Sequence, residues 1–170
     1  MIRWLGAILV AGATTAAGLA AVQRLGARVR LLAAFLTALD IMLAELTFNL
    51  TPLPELMQLL SRRAAAPVRP FFAHCARLLQ RLGEESFLAL WQKTVNDMGA
   101  EWRAGERDAL MDLGAVLGRY DTKGQARALT LAKTRMEALL TRAEGERLRQ
   151  GRVFGALGAA SGLAIVIILI

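Results

Sequence analysis

Proline is scarce in this chain of 170 residues, and its four prolines lie together between Pro52 and Pro70. Residues 1–51 and 71–170 therefore contain no residue that must break a helix. Leucine and alanine, two strong helix formers, contribute 31 residues each. Six of the seven isoleucines fall within the first eight or the last six positions, which makes both ends membrane-like. This composition predicts an all-α fold and leaves little room for an all-β or doubly wound one.

Cys75 is the only cysteine, which excludes an intrachain disulfide and a cysteine-based zinc cluster. Acidic residues are in the minority, because 14 Asp and Glu stand against 21 Lys and Arg, a net charge of +7. Such an excess indicates nucleic acid or an anionic membrane surface as a partner. Many arginines crowd against the apolar ends, and no basic stripe alternates with aromatic residues. We therefore predict membrane lipid as a partner, and no nucleic acid.

Two stretches lack charge entirely: Trp4–Gln23 has 20 uncharged residues and 153–170 has 18. Each is long enough, at roughly 27 to 30 Å of helix, to cross the hydrocarbon core of a bilayer. The sequence thus predicts an N-terminal transmembrane helix in residues 1–23, a helical domain in residues 24–152 and a C-terminal transmembrane helix in residues 153–170. A cleaved signal peptide is the alternative for the first stretch, because Arg3 precedes it and Ala11-Gly12-Ala13 fits a cleavage site.

Arginines near the second apolar stretch indicate the topology. They occur at positions 142, 147, 149 and 152, and no basic residue follows them. The positive-inside rule therefore places residues 24–152 in the cytoplasm and both termini outside. Within the last stretch, Gly155, Gly158 and Gly162 form a small-residue face, which predicts close packing of the transmembrane helix there.

Apolar residues from Leu25 to Leu50 recur at alternating intervals of four and three, the spacing of a helix that packs against other helices. We predict that this leucine seam is buried core, with Leu36 as a typical member. Asp40 and Glu45 lie off the seam, so a water-exposed helix face explains them better than a further membrane span does.

Start and stop signals divide the rest of the domain. Thr51-Pro52-Leu53-Pro54-Glu55 reads as a helix start with Thr51 as the cap. Further helices are predicted from Pro67 to about Leu82, from a Ser86 cap, from Glu106 to Leu117, and from an Asp121 cap into the C-terminal stretch. The result is a cytoplasmic helical bundle of about six helices between two transmembrane helices, with long first and last helices that lie side by side and antiparallel.

Residues suited to catalysis are few. His74 and Cys75 are adjacent on a helix and point about 100° apart, so they do not face one reacting atom. Asp108 and Asp112 share a helix face but have no histidine or third carboxylate nearby in sequence. We therefore predict no catalytic, cofactor-binding or metal-binding residues. The two tryptophans at positions 91 and 102 are expected in the core rather than at a partner surface.

Two inner motifs resemble one protein family. They are Glu45 followed by Thr51-Pro52-Leu53-Pro54-Glu55, and Leu117-Gly118-x-x-Asp121-x-x-Gly124-Gln125-x-x-x-Leu129. Together with the opening Leu5-Gly6-Ala7-x-Leu9 and the close Gly155-x-Leu157-Gly158, they are similar to the stage III sporulation protein AB family of endospore-forming bacteria. One departure is Ala159, where the family pattern suggests a second glycine after Gly158.

The resemblance implies a component of the transenvelope complex that joins mother cell and forespore during sporulation. It also implies likeness to the inner-membrane platform proteins of type II secretion and type IV pilus machines, whose cytoplasmic helical domains meet a hexameric ATPase. The expected partners are then the cytoplasmic ATPase of the same complex and other membrane subunits, at the mother-cell membrane facing the forespore. A generic membrane-anchored adaptor and a membrane-bound enzyme are the alternatives, and self-association is left open.

Partner binding is expected at the two inner motifs, because exposed residues at turns are functional more often than packing residues are. The candidate residues are Thr51, Pro52, Leu53, Pro54, Asp121, Gly124 and Gln125. Helix lengths place both turns at the membrane-distal tip of the domain. Thr51 and Asp121 could instead serve only as helix caps, whereas Gln125 is expected to cap nothing.

Overall fold

The computed structural model describes the backbone of residues 2–98, 102–117 and 122–169, and the side chains of residue 18 and of residues 20–98, 102–117 and 124–153. Every regular element in these ranges is helical, which confirms the predicted all-α bundle. The helices are α1 (Ile2–Ala44), α2 (Leu53–Arg63), α3 (Arg69–Leu78), α4 (Phe87–Asp97), α5 (Ala104–Leu117) and α6 (Thr122–Leu169). A π-helical turn (Glu45–Asn49) follows α1, and a 3₁₀ turn (Leu79–Arg81) follows α3.

The chain forms two compact units, one of residues 1–29 with 141–170 and one of residues 30–140. Both long helices contribute to each unit, because α1 and α6 are unbroken. The packing predicted for Gly155, Gly158 and Gly162 falls outside the residues whose side chains are described. The same holds for most of the two apolar ends, so both transmembrane helices stay predictions.

Local signals explain where the short helices begin. In α4, the backbone N–H of Ala89 donates to the Ser86 hydroxyl at 3.3 Å, so Ser86 caps this helix, as predicted. In α2, Pro54 occupies the first turn, where a backbone N–H has no partner within the helix and its absence costs nothing. Two arginines occupy the last turn, where their positive charges interact favourably with the negative end of the helix dipole. The third helix begins at Arg69 rather than at Pro67, because the chain first makes a turn in which the Val68 N–H donates to the Ala65 carbonyl.

An aromatic cluster forms the core of the 30–140 unit. Phe35 of α1 stacks on Phe72 at a centroid distance of 5.8 Å, and it meets Trp102 edge-on at 5.4 Å. Phe71 joins the cluster to Trp91 of α4 at 5.3 Å. All five side chains are buried, so both tryptophans lie in the core as predicted.

The buried face of α1 differs from the predicted leucine seam. Its large buried residues include Leu32, Phe35, Leu39 and Met42, and Leu46 of the π-helical turn continues the stripe at intervals of three and four. Leu36 and Leu43 are only half-buried, and Leu50 is 66% exposed. The seam prediction was therefore right at every second position and wrong at the others, where Phe35 and Met42 occupy the core instead. Apolar residues flank the buried stripe on both sides, so the sequence pattern alone fits two different faces of the helix.

Within each unit an ion pair joins the first and last helices. The Lys133 ammonium donates to the Asp40 carboxylate at 2.6 Å, and this hydrogen bond raises the pKa of Lys133. In the other unit, Arg28 lies 3.7 Å from Glu146. Because partner numbers fall along α6 as they rise along α1, the two helices run antiparallel. The α6 core face has Leu129, Ala132 and Met136 buried.

One described stretch, Ala20–Asn49, is long and apolar enough to cross a membrane when judged by length and composition alone. Leu32, Leu39 and Leu46 in this stretch are buried by the rest of the 30–140 unit, and Asp40 pairs with Lys133. These are properties of a helix packed in a bundle, which has the same apolar content as a membrane span.

Candidate partner-binding site

The turn that ends α1 is organised by one glutamate. The main-chain carbonyl of Glu45 accepts hydrogen bonds from the backbone N–H groups of Leu50 and Thr51. Its side-chain Oε2 accepts from the amide nitrogen of Asn49 and from the hydroxyl of Thr51, both at 2.8 Å. We call residues 45–51 the apolar turn, for the two exposed side chains described below. Four hydrogen bonds to a single residue fix its shape.

Electrostatics favour the charged form of Glu45. The hydrogen bond from Asn49 and then that from Thr51 lower the pKa of its carboxyl group, and the charge of Arg63 lowers it further. A carboxyl whose pKa is lowered in the folded state stabilises the fold at neutral pH. That contribution is lost as the pH falls through the lowered pKa.

The structure corrects the predicted role of Thr51. Pro52 is the cap residue of α2, the helix starts at Leu53, and the Pro52 carbonyl accepts the first bond, from Leu56 N–H at 2.9 Å. Thr51 instead donates its hydroxyl proton to Glu45. A cap threonine would instead accept an N–H from the first turn of the helix that follows it, so the Thr51 hydroxyl stabilises the turn at Glu45 and does not cap α2.

Two large apolar side chains project from the apolar turn. Phe48 is 83% exposed and Leu50 is 66% exposed. In the part of the chain that the structure describes, Leu50 is the one non-glycine residue with a positive φ, at 51°. The left-handed conformation costs a residue with a side chain roughly 1 to 3 kcal/mol. Because the Leu50 side chain is mostly exposed, its packing within the protein does not offset that cost.

Sequence reasoning missed Phe48 and assigned Leu50 to the buried seam. One signal could have shown the error, because Pro52 disfavours helical conformation at Thr51, so a helix usually ends at or before that residue. The α1 helix therefore has to unwind near Leu50, and its last apolar positions cannot keep the helical register that buries Leu46.

The second motif is described only in part. Asp121 lies outside the described residues, and the description of α6 side chains begins at Gly124 and Gln125. The side-chain amide of Gln125 donates to the Leu117 carbonyl at 2.8 Å. Gln125 therefore caps the C-terminus of α5, where carbonyls lack intrahelical partners, and the expectation that it caps nothing was wrong.

Register along the antiparallel helices relates the two motifs. Asp40 of α1 pairs with Lys133 of α6. Glu45 follows Asp40 by five residues, at the start of the π-helical turn, and Gln125 precedes Lys133 by eight residues in α6. At about 1.5 Å per residue these separations correspond to about 8 and 12 Å in the same direction. The apolar turn and Gln125 thus lie at the same end of the 30–140 unit.

The catalytic candidates make structural contacts. The His74 ring bonds Asp97 at 2.9 Å through Nε2 and Arg77 at 3.2 Å through Nδ1. Burial raises the pKa of the Cys75 thiol to about 12, so the thiol is protonated at neutral pH. Among the residues whose side chains are described, no group of three or more His, Cys, Asp or Glu could hold a metal ion.

By architecture the chain is an all-α helical-bundle protein, and comparison with known proteins identifies its family. The sequence model of Stage III sporulation protein AB matches residues 3–170. Stage III sporulation protein AB of Bacillus subtilis (strain 168) is 26% identical over 171 residues, which cover 99% of each chain. A solved structure of Stage III sporulation protein AB aligns with a TM-score of 0.66 and 26% identity, over 72% of this chain and 98% of the other. The chain belongs to the Stage III sporulation protein AB family, and this membership supports a role in sporulation.

The cap formed by Gln125 makes a stability prediction. Replacing Gln125 by alanine removes its hydrogen bond to the Leu117 carbonyl and should lower the free energy of unfolding by about 0.5 to 1.5 kcal/mol. Gln92, an exposed glutamine on α4, provides the matched control, because Gln92→Ala should stay within about 0.5 kcal/mol of wild type. Denaturant unfolding of both variants measures the difference, and equal midpoints would contradict the capping role.

Proposed function

We propose that this protein is a non-enzymatic platform of the sporulation complex, held in the mother-cell membrane by its two apolar ends. In this proposal residues 24–152 face the mother-cell cytoplasm and dock the ATPase of the same complex. Family membership supports the sporulation role, and the charge-free ends together with the arginines beside them support the membrane placement. The docking surface is the apolar turn with the adjoining Thr51–Pro54 segment.

The observation that carries the docking step is the exposure of Phe48 and Leu50 in a constrained backbone. Exposed aromatic and aliphatic residues supply much of the binding energy of protein interfaces when a partner buries them. Leu50 is held in a conformation that glycine or asparagine would adopt at lower cost. A strained residue that the surrounding hydrogen bonds maintain is typical of functional sites.

The surroundings of the apolar turn indicate the chemistry of the partner surface. Pro52 is exposed and rigid, so little backbone freedom is lost when this segment is bound. Arg62 and Arg63 are exposed at the end of α2, and the charge of Arg63 reaches Glu45. A complementary partner would offer an apolar pocket for Phe48 bordered by acidic side chains.

A pair of substitutions tests this proposal, with the full-length protein in nanodiscs and the purified ATPase of the same sporulation complex. Phe48→Ser should weaken binding by at least about tenfold, because it removes an interface anchor. Leu50→Asn should weaken binding as well, and it should also raise the free energy of unfolding by about 0.5 to 1 kcal/mol, because asparagine tolerates the left-handed conformation.

The opposite signs of stability and binding separate an interface from a fold defect. Leu131, an α6 leucine that is 56% exposed, supplies the control, and Leu131→Asn should bind the ATPase as wild type does. If the wild-type protein binds no ATPase, the platform role fails. If wild type binds and Phe48→Ser and Leu50→Asn bind equally well, only the assignment to the apolar turn fails.

A further inference from the structure

A cleft of about 630 Å³ opens between α1 and α6 within the unit of residues 1–29 and 141–170. Its apolar lining comes from Val22, Val29 and Leu148, and Leu148 is 64% exposed. Its charged lining comes from Arg147, Arg152 and Glu144. The cleft therefore combines an apolar wall with a net charge of +1, and its volume lies in the range of small-molecule binding sites.

The described part of this unit is basic beyond the cleft itself. Six arginines occur in residues 20–29 and 141–153, against two glutamates, a net charge of +4. Glu146 is already paired with Arg28 at 3.7 Å. The cleft thus lies in a positive field that attracts anions.

We propose that this cleft binds one anionic phospholipid, with the phosphate at Arg147 and Arg152 and an acyl chain along the apolar wall. Arginine pairs well with phosphate because its planar guanidinium donates two parallel hydrogen bonds. Basic pockets between helices on the cytoplasmic side of a membrane bind anionic lipid headgroups. The inference rests on the membrane placement in the proposed function, since residue 153 begins the second charge-free stretch.

Charge and shape favour a lipid over a free anion. Glu144 lowers the charge of the lining to +1, which matches a phosphodiester with a single negative charge better than a doubly charged free phosphate. A soluble anion would also leave Val22, Val29 and Leu148 without a function in binding. An acyl chain buries all three, which adds roughly 25 cal/mol for each Å² of apolar surface removed from water.

Gly151 gives a direct test of the shape. It lines the cleft, and a Cβ atom added there would meet no atom within 4 Å. Gly151→Leu should therefore place a side chain in the cleft from a Cβ atom that clashes with nothing, and it should favour the helix because leucine is a better helix former than glycine. Gly145 on the same helix also has no atom within 4 Å of such a Cβ and does not line the cleft, so Gly145→Leu is the matched control.

The experiment titrates full-length protein in detergent with phosphatidylglycerol or phosphatidylcholine of the same chain length and counts bound lipids by native mass spectrometry. Wild type should prefer phosphatidylglycerol by about tenfold. The double variant Arg147→Gln/Arg152→Gln should lose this preference. Arg142→Gln/Arg149→Gln removes the same charge outside the cleft and should keep it. Gly151→Leu should lose bound lipid, whereas Gly145→Leu should not.

Three results would overturn the inference: equal binding of both lipids by wild type, an unchanged preference after Arg147→Gln/Arg152→Gln, or full binding by Gly151→Leu. Displacement of the lipid by millimolar glycerol phosphate would also overturn it, because the apolar wall would then contribute nothing. Flotation of wild-type protein with phosphatidylcholine vesicles is scored separately. A protein that does not float contradicts the membrane placement, and one that floats without lipid preference contradicts only the cleft.

Discussion

Replacing Gly114 by alanine should lower the free energy of unfolding by about 3 to 5 kcal/mol. A Cβ atom on Gly114 would lie 2.1 Å from Cδ1 of the Trp91 indole and 2.6 Å from its Nε1. The indole cannot move aside easily, because it is fully buried and contacts Phe71 and Phe87. Any shift would also break the 2.7 Å hydrogen bond from Trp91 Nε1 to the Leu110 carbonyl. The methyl group would therefore both overpack the core and leave a buried donor unpaired.

The same substitution elsewhere on α5 provides the control. A Cβ atom on Gly105 would lie 3.7 Å from Cδ2 of Leu139, an ordinary van der Waals distance. Gly105→Ala should therefore be neutral or stabilise the protein by up to about 1 kcal/mol through helix propensity. Denaturant unfolding of the full-length protein in detergent measures both variants. Similar midpoints for the two would show that Trp91 does not pack on Gly114 as described.

Helix order was the most predictable feature of the fold. Confinement of proline to positions 52–70 leaves long stretches free to be helical, and cap signals such as Ser86 act over three residues. Such signals depend on the local chain alone. For this reason the beginnings of α2, α4 and α5 lie within two residues of their predicted positions.

The hydrogen-bonding roles of side chains whose partners come from another part of the fold were not predictable. The Thr51 hydroxyl can accept from an N–H of the helix that follows or donate to a carboxylate, and only the folded turn brings the Glu45 carboxylate within 2.8 Å. Gln125 reaches back eight residues to Leu117, a bond that exists because α5 and α6 form an antiparallel hairpin. Spacing in the sequence indicates neither contact.

The candidate site was located by its motif and not by its chemistry. Thr51–Pro54 marks the turn between α1 and α2, yet the exposed residues that make this turn a candidate interface precede the motif. Heptad counting extends the seam to Leu50 because it assumes a regular helix, and the π-helical turn Glu45–Asn49 ends that register. A pattern of apolar residues cannot show where the backbone leaves the helix.

The core face of α1 provides the last large effect. Phe35→Ala should lower the free energy of unfolding by about 3 to 5 kcal/mol, because Phe35 is fully buried and contacts Phe71, Phe72 and Trp102. Leu36→Ala, at the adjacent position that heptad counting assigned to the core, should cost less than about half as much, since Leu36 is only half-buried. Denaturant midpoints at equal protein concentration measure both. If Leu36→Ala is the more damaging substitution, Leu36 and not Phe35 faces the core, and α1 is rotated from the position described.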